Sequence, residues 1–139
     1  MPADASAKIF FDTSVLVYML TENDPRAAMV EKLLLAGGNL SVQTLNEFAN
    51  VARRKLKLTW NEVEQALSDI RFLCRPPVPV TVKIHDAAIK IAKRFRFSIY
   101  DSLIIAAALE QKCTTLYSED MQNGQKIESL TIRNPFVTR

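Results

Sequence analysis

Short apolar runs alternate with longer segments of helical periodicity along this chain. Residues 8–12, 114–118 and 130–132 are apolar runs of strand length, and brief runs at 40–42 and 78–82 predict further strands. Strands that alternate with helices are typical of a parallel sheet covered by helices on both faces. We therefore predict an α/β fold in which the carboxyl ends of the strands form the edge where ligands bind.

Helix-start signals divide the segments between these strands. Asp24 followed by Pro25 predicts the N-cap and first residue of one helix. Helical spacing resumes at Thr44, and Thr59 with Glu62 forms a capping box at the start of another helix. The segments between the predicted strands are therefore helical.

Two further helices are predicted over residues 84–95 and 100–111. The second begins after Ser98, with Asp101 in the position of a capping-box acid. Its body is apolar nearly all round, and a helix without a polar face is expected to be buried. This helix should lie at the centre of the protein.

Composition limits the class of protein. The 139 residues are 48% hydrophobic and 24% charged, which predicts one globular domain over residues 1–139. The formal net charge of +3 permits a polyanionic partner without requiring one. No apolar run is long enough to cross a bilayer and no signal peptide is recognisable, so we expect a cytoplasmic protein. Cys74 and Cys113 form no CxxC pair and are predicted to be buried free thiols rather than a disulfide.

Four acids stand in apolar or structurally committed surroundings: Asp12, Glu47, Asp101 and Asp120. Asp12 and Asp120 each follow a predicted strand, at the edge where ligands bind. If the four converge, their mutual repulsion favours a divalent cation such as Mg²⁺, which takes oxygen ligands. Such a site suits hydrolysis of phosphodiester bonds. We expect Asp12 and Asp101 to hold metal directly or through water, Glu47 to add a ligand or orient the attacking water, and Asp120 to complete a second, weaker metal position.

Ordinary structural roles are open to three of these acids. Asp101 is suited to helix capping, and Glu47 is predicted in a first helical turn, where the helix dipole favours an acid. Asp120 is a common type of turn residue. Asp12, at the end of an apolar strand, has no such structural role, and it is the strongest single candidate.

Other catalytic arrangements find little support. His85 is the only histidine and is predicted to be a surface residue, so two-histidine ribonucleases and HExxH zinc sites are excluded. No glycine-rich phosphate loop is present.

Two basic runs are candidates for contact with RNA phosphates. One consists of Arg53, Arg54, Lys55 and Lys57, and the other of Lys90, Lys93, Arg94 and Arg96. Cations at helix ends are also ordinary partners of the helix dipole, so both interpretations stay open. Three aromatic residues are candidates for stacking on bases: Tyr18, Trp60 and Tyr100.

Four segments in order along the chain resemble the motifs of PIN-domain nucleases. They are residues 11–18, 43–48, 100–108 and 116–124, which contain Asp12, Glu47, Asp101 and Asp120 in turn. The chain is most similar to VapC-type toxins, and the likeness covers nearly its whole length. It implies a three-layer α/β/α sandwich with a five-stranded, mainly parallel sheet, cleavage of RNA dependent on Mg²⁺ or Mn²⁺, a homodimer and an inhibitory antitoxin. It also implies that the four acids form the site, with Ser14 and Ser118 as supporting hydroxyls.

Three classes of function were weighed. A metal-dependent endoribonuclease acting as a toxin explains all four acids. A phosphoacceptor receiver domain would need an acid after the strand at residues 78–82, and none is present there. A non-catalytic RNA-binding or protein-interaction module on the same fold is the alternative, against which the complete acid set argues.

Overall fold

The structure, a computed structural model, describes residues 5–137. Its α-helices are α1 (Thr13–Leu16), α2 (Pro25–Leu35), α3 (Val42–Arg54), α4 (Trp60–Leu73), α5 (Val82–Phe95) and α6 (Ile99–Glu110). Its strands are β1 (Ile9–Phe11), β2 (Thr115–Tyr117), β3 (Lys126–Ile127) and β4 (Leu130–Arg133). Two 3₁₀ helices, Ala5–Lys8 and Val17–Leu20, flank the first strand and α1. The outer ends of the predicted domain, 1–139, lie outside the described residues.

The strands form one mainly parallel sheet in the order β1-β2-β4-β3. Strand β2 pairs in parallel with both β1 and β4, and β3 runs antiparallel to β4. Within the described residues the sheet therefore has four strands, and the predicted number of five is wrong. The α/β fold with a central, mostly parallel sheet is confirmed.

Two predicted strands are reduced to isolated bridges. Asn39 pairs with Phe10 of β1, and Ser41 pairs with Val78. Helices α3 and α5 begin at Val42 and Val82, so the chain leaves the sheet edge before a ladder can form. Strand β3 was not predicted. It is two residues long and is joined to β4 by a turn in which Glu128 adopts a positive φ of 55°.

The sheet separates two apolar cores. Because side chains alternate across a strand, Phe10 and Phe11 of β1 point to opposite faces, and both are fully buried. Phe10 packs in the core with α5 and α6, and Phe11 packs in the core with α1 to α4. Gly38 lies so close to the Phe11 ring that an added Cβ would be 2.5 Å from it. These contacts hold the end of β1, and with it Asp12, in a fixed position.

Most of the helix predictions are confirmed. Thr59 and Glu62 form the predicted capping box, and residues 102–108 of α6 are all buried. Helix α3 begins earlier than predicted, at a capping box of Ser41 and Thr44, which moves Glu47 from the first turn to the second. No helix among residues 5–137 is long and apolar enough to span a membrane.

Most of the predictions for single residues are also confirmed. Both cysteines are free thiols, but only Cys113 is buried as predicted and Cys74 is half-buried. Burial raises the pKa of each to about 11. His85 lies exposed on α5.

Candidate active site

The site is built where two parallel strands end side by side. Phe11 and Tyr117 are paired at the ends of β1 and β2, so the next residues, Asp12 and Ser118, lie next to each other. The backbone N–H of Asp12 donates to the carbonyl of Tyr117 over 2.9 Å. This register brings residues from opposite ends of the chain to the same edge of the sheet.

Asp12 is a buried carboxylate with a fixed orientation. Only 3% of the residue is exposed, and its Oδ2 accepts hydrogen bonds from Ser14 Oγ at 2.7 Å and Ser118 Oγ at 2.9 Å. Burial raises the pKa of Asp12 above its usual 3.8, and the charge of Asp120 adds to this rise, while the two hydroxyl donors oppose it. The ionised form is therefore costly in the absence of a positive charge.

The two serines also bind the loop that follows β2. Ser14 Oγ accepts from the backbone N–H of Glu119 at 3.0 Å, and Ser118 Oγ accepts from that of Met121 at 3.2 Å. The hydroxyls that orient Asp12 thus also hold the backbone on either side of Asp120. The predicted supporting positions both contact the predicted central acid.

Glu47 faces the site from the second turn of α3. Its Oε2 accepts from Gln43 Nε2, one turn earlier, over 3.0 Å. Partial burial raises the pKa of Glu47, and the charges of Asp12 and Asp101 raise it further. The helix dipole of the first turn does not account for this acid.

Asp101 lies in the first turn of α6. Its backbone N–H donates to the N-cap oxygen Ser98 Oγ over 3.1 Å. Partial burial is the main reason that its pKa is raised, followed by the charges of Asp12 and Asp120. Its carboxylate therefore interacts with the other acids as well as with its cap.

All four acids line one cleft of about 450 Å³. Asp12 lies at its buried side, Glu47 and Asp101 are half-buried, and Asp120 is exposed. The structure therefore brings together the four acids that the sequence singled out. Among residues 5–137, however, no three of them are already arranged as a closed metal-binding cluster.

The predicted basic residues lie in different places. Arg54 lines a hollow that adjoins this cleft, sharing Asn50, Val51 and Lys55 with it. Arg53 donates to the carbonyl of Leu58 over 2.8 Å at the end of α3. The Arg53 side chain therefore binds the segment that follows its own helix.

The second basic run is remote from the acids. Lys93 and Arg94 are exposed on α5, and Arg94 lines a separate groove between α5 and α6. Neither residue lines the acidic cleft.

Several cleft residues were not singled out from the sequence. Among them, Asn50 lines the cleft from α3, and Glu119 lines it from the loop after β2. Glu119 accepts a hydrogen bond from the Tyr18 hydroxyl and pairs with Arg26 at 3.5 Å. The spacing of Asn50 from Glu47 along α3 was the available signal, because residues three apart share a helix face.

A family model for the PIN domain matches residues 9–123, which include all four acids. The chain belongs to the PIN-domain family. This PIN domain has no match among curated proteins.

Two solved structures share its fold. One is the crystal structure of VapC20 from Mycobacterium tuberculosis, described as a Sarcin-Ricin loop cleaving toxin, with a TM-score of 0.65 and 21% identity over 81% of this chain and 89% of that one. The other is a toxin–antitoxin complex from Klebsiella pneumoniae, with a TM-score of 0.68 and 16% identity over 92% of this chain and 98% of that one. At these identities the likeness is one of fold.

Proposed function

We propose that this PIN-domain protein is a metal-dependent endoribonuclease that hydrolyses RNA phosphodiester bonds and acts as the toxin of a type II toxin–antitoxin pair. One observation carries the proposal: four carboxylates from four separate segments line one cleft. Burial and mutual repulsion raise the pKa of three of them, Asp12, Glu47 and Asp101. A fold tolerates such a cluster most readily when a bound cation compensates it.

The donor set fits Mg²⁺ or Mn²⁺. It consists of carboxylate oxygens, the ligand type that these hard ions prefer. Because no three acids of the described chain are already drawn into a closed cluster, one or two hydrated ions, held partly through water, fit better than a fully enclosed ion. When bound, such an ion lowers the pKa of a coordinated water and neutralises charge on the leaving oxygen.

The residues of the cleft have distinct roles in this proposal. Asp12 is a metal ligand whose orientation is held by the hydroxyls of Ser14 and Ser118. Asp101, in the first turn of α6, is the second ligand. Glu47, held by Gln43, is a further ligand or orients the attacking water. The exposed Asp120 contributes to a second, weaker metal position.

The proposed partners follow from the same family. RNA is the substrate, a cognate antitoxin is the inhibitor, and the active form is a cytoplasmic homodimer. The similarity in fold to a toxin described as cleaving the Sarcin-Ricin loop supports the RNA substrate. The similarity to a toxin–antitoxin complex supports the antitoxin.

Induced expression of wild type and of Asp101→Asn, with sequencing of RNA ends, tests the proposal. We expect wild type to arrest growth and to create new RNA ends, and Asp101→Asn to do neither. Asp86→Asn, which removes an exposed acid on α5, is the matched control and should behave as wild type. Equal numbers of new RNA ends with wild type and with folded Asp101→Asn would contradict the assignment. Binding of RNA without any cleavage by wild type would favour the non-catalytic module.

A further inference from the structure

Three hollows that share lining residues lie along α3. The acidic cleft shares Glu47, Asn50 and Asp101 with a second hollow of about 400 Å³, which Tyr100 also lines. Asn50 also lines the third hollow, of about 280 Å³, together with Arg54. We call these three hollows the α3 groove. The groove continues beyond the acids in two directions, toward a basic end and toward an aromatic end.

One face of α3 forms the floor of this groove. Gln43, Asn46, Asn50 and Arg54 recur at intervals of three or four residues, which places them on the same side of the helix. The opposite side packs into the core through Thr44, Phe48 and Ala52. Along this face, three amide side chains, which donate and accept hydrogen bonds, are followed by the cationic side chain of Arg54. From Gln43 to Arg54 this face is about 16 Å long.

The charge of the groove is distributed unevenly along its length. Arg54 and Lys55 line the hollow at one end, and both are exposed. The acids occupy the middle, and the other end is lined by Gln43, Asn46 and Tyr100. A phosphate backbone would therefore contact cations at one end, while the aromatic end offers a surface for an uncharged base.

Tyr100 is the aromatic residue of the three candidates that is free to stack. The Tyr18 ring is covered by Arg26 at 4.4 Å and meets Phe136 edge-on, and the Trp60 ring is covered by Arg53 at 4.7 Å. Tyr100 is 60% exposed, and within residues 5–137 its ring has no aromatic or cationic partner. It also directly precedes Asp101, so a base on its ring would lie beside the acids.

We propose that Tyr100 is a base-stacking position of the α3 groove, where one unpaired base of the RNA stacks on its ring next to the phosphate to be cleaved. This inference rests on the proposed function and adds a residue that positions its substrate. Asn46 and Asn50 hydrogen-bond to the nucleotides between, and Arg54 and Lys55 neutralise phosphates at the other end. A base within a duplex is stacked between its neighbours, so duplex RNA cannot use the Tyr100 surface.

Fluorescence anisotropy with labelled oligouridylate tests the stacking site. The parent protein is Asp12→Asn with Mg²⁺ present, so that the probe is not cleaved. Adding Tyr100→Ala should weaken binding about fivefold to a hundredfold, the range for loss of one stacked base, and Tyr100→Phe should restore it. Trp60→Ala is the matched control, because Trp60 is 64% exposed but lines none of the three hollows, and it should leave binding unchanged.

Two further probes separate stacking from a general effect on the fold. An oligouridylate–oligoadenylate duplex should bind the parent more weakly than the single strand does, and Tyr100→Ala should not change its affinity. In a series of single strands with one abasic position, one position should weaken binding to the parent and cause no further loss in Tyr100→Ala. Equal binding of the single strand by the parent and Tyr100→Ala would overturn the inference. That result would leave the proposed function intact, since the proposed function is tested separately by RNA cleavage in wild type and its loss in Asp101→Asn.

Discussion

Two helix N-termini in this protein each place an aspartate at the N-cap and use it differently. Asp24 precedes α2, and its carboxylate accepts from the backbone N–H of Arg26. Asp12 precedes α1, yet within residues 5–137 it forms no side-chain cap hydrogen bond of the kind that Asp24 makes. It accepts from Ser14 and Ser118 instead. The same residue type at the same local position thus stabilises a helix in one case and lines an acidic cleft in the other.

The electrostatic consequences are opposite in sign. The hydrogen bonds from Arg26 hold the pKa of Asp24 below its usual value. Burial raises the pKa of Asp12, and the charge of Asp120 adds to the rise. Folding therefore favours the ionised form of Asp24 and opposes the ionised form of Asp12. An acid that opposes folding is a candidate for function, because stability alone gives no reason to keep it.

The largest expected effect distinguishes the two aspartates by activity. Asp12→Asn should reduce RNA cleavage about a thousandfold, since loss of a metal ligand removes several kcal/mol of stabilisation of the transition state. Asp24→Asn should retain cleavage close to that of wild type, because asparagine is an equally good N-cap. Initial rates on one labelled RNA at fixed Mg²⁺ measure both. A similar loss of RNA cleavage in the two variants would contradict the different roles assigned to Asp12 and Asp24.

Substitutions at the same two aspartates should have different effects on the midpoint of thermal unfolding. Asp24→Ala removes a capping acceptor, and we expect the midpoint of thermal unfolding to fall by about a few degrees. Asp12→Asn removes an acid whose ionised form is opposed by burial and by the charge of Asp120, so the midpoint without metal at neutral pH should stay equal or rise. Scanning calorimetry in EDTA measures both shifts. A clear decrease for Asp12→Asn would mean that Asp12 is a structural acid.

The pH dependence of stability is the smallest expected effect. Above pH 3.8 an unfolded Asp12 loses its proton while the folded one keeps it, so the free energy of unfolding should fall as the pH rises toward the folded pKa. Asp101, whose pKa is also raised, contributes in the same direction. Asp24 acts in the opposite direction, since its contribution is lost as the pH falls below 3.8.

Urea unfolding over a pH series measures these slopes. In metal-free buffer, Asp12→Asn should flatten the decline above pH 3.8, and Asp24→Ala should flatten the decline below it. Unchanged slopes in both variants would contradict the assigned directions.

The parts of the fold that could be predicted are those whose side chains must be buried. The apolar runs of β1 and β2 and the all-apolar body of α6 have one environment that suits them, the interior. Residues 40–42 and 78–82 are also largely apolar but run directly into helices. The sequence pattern does not show over how many residues these segments lie beside a neighbouring strand. Strand β3 is two residues long and has an exposed lysine, so no alternation was available to indicate it.

Burial also separates the site residues that could be predicted from those that could not. Acids that follow buried strands or open a buried helix, such as Asp12 and Asp101, have few alternative positions, and the structure brings them to one cleft. Lys93 and Arg94 lie on an exposed helix face, where burial does not determine which cleft they are near. Asn50 was missed because an amide on a helix surface has no distinctive pattern until the position of Glu47 is known.

Titration of Mg²⁺ against thermal unfolding at pH 7 tests the central claim most directly, because a ligand that binds only the folded state raises its stability. Wild type should gain stability with a saturable dependence on Mg²⁺. Asp12→Asn and Asp101→Asn should lose most of that gain, and Asp86→Asn should keep it. The same gain in all four proteins, or none in wild type, would contradict a metal site formed by these carboxylates.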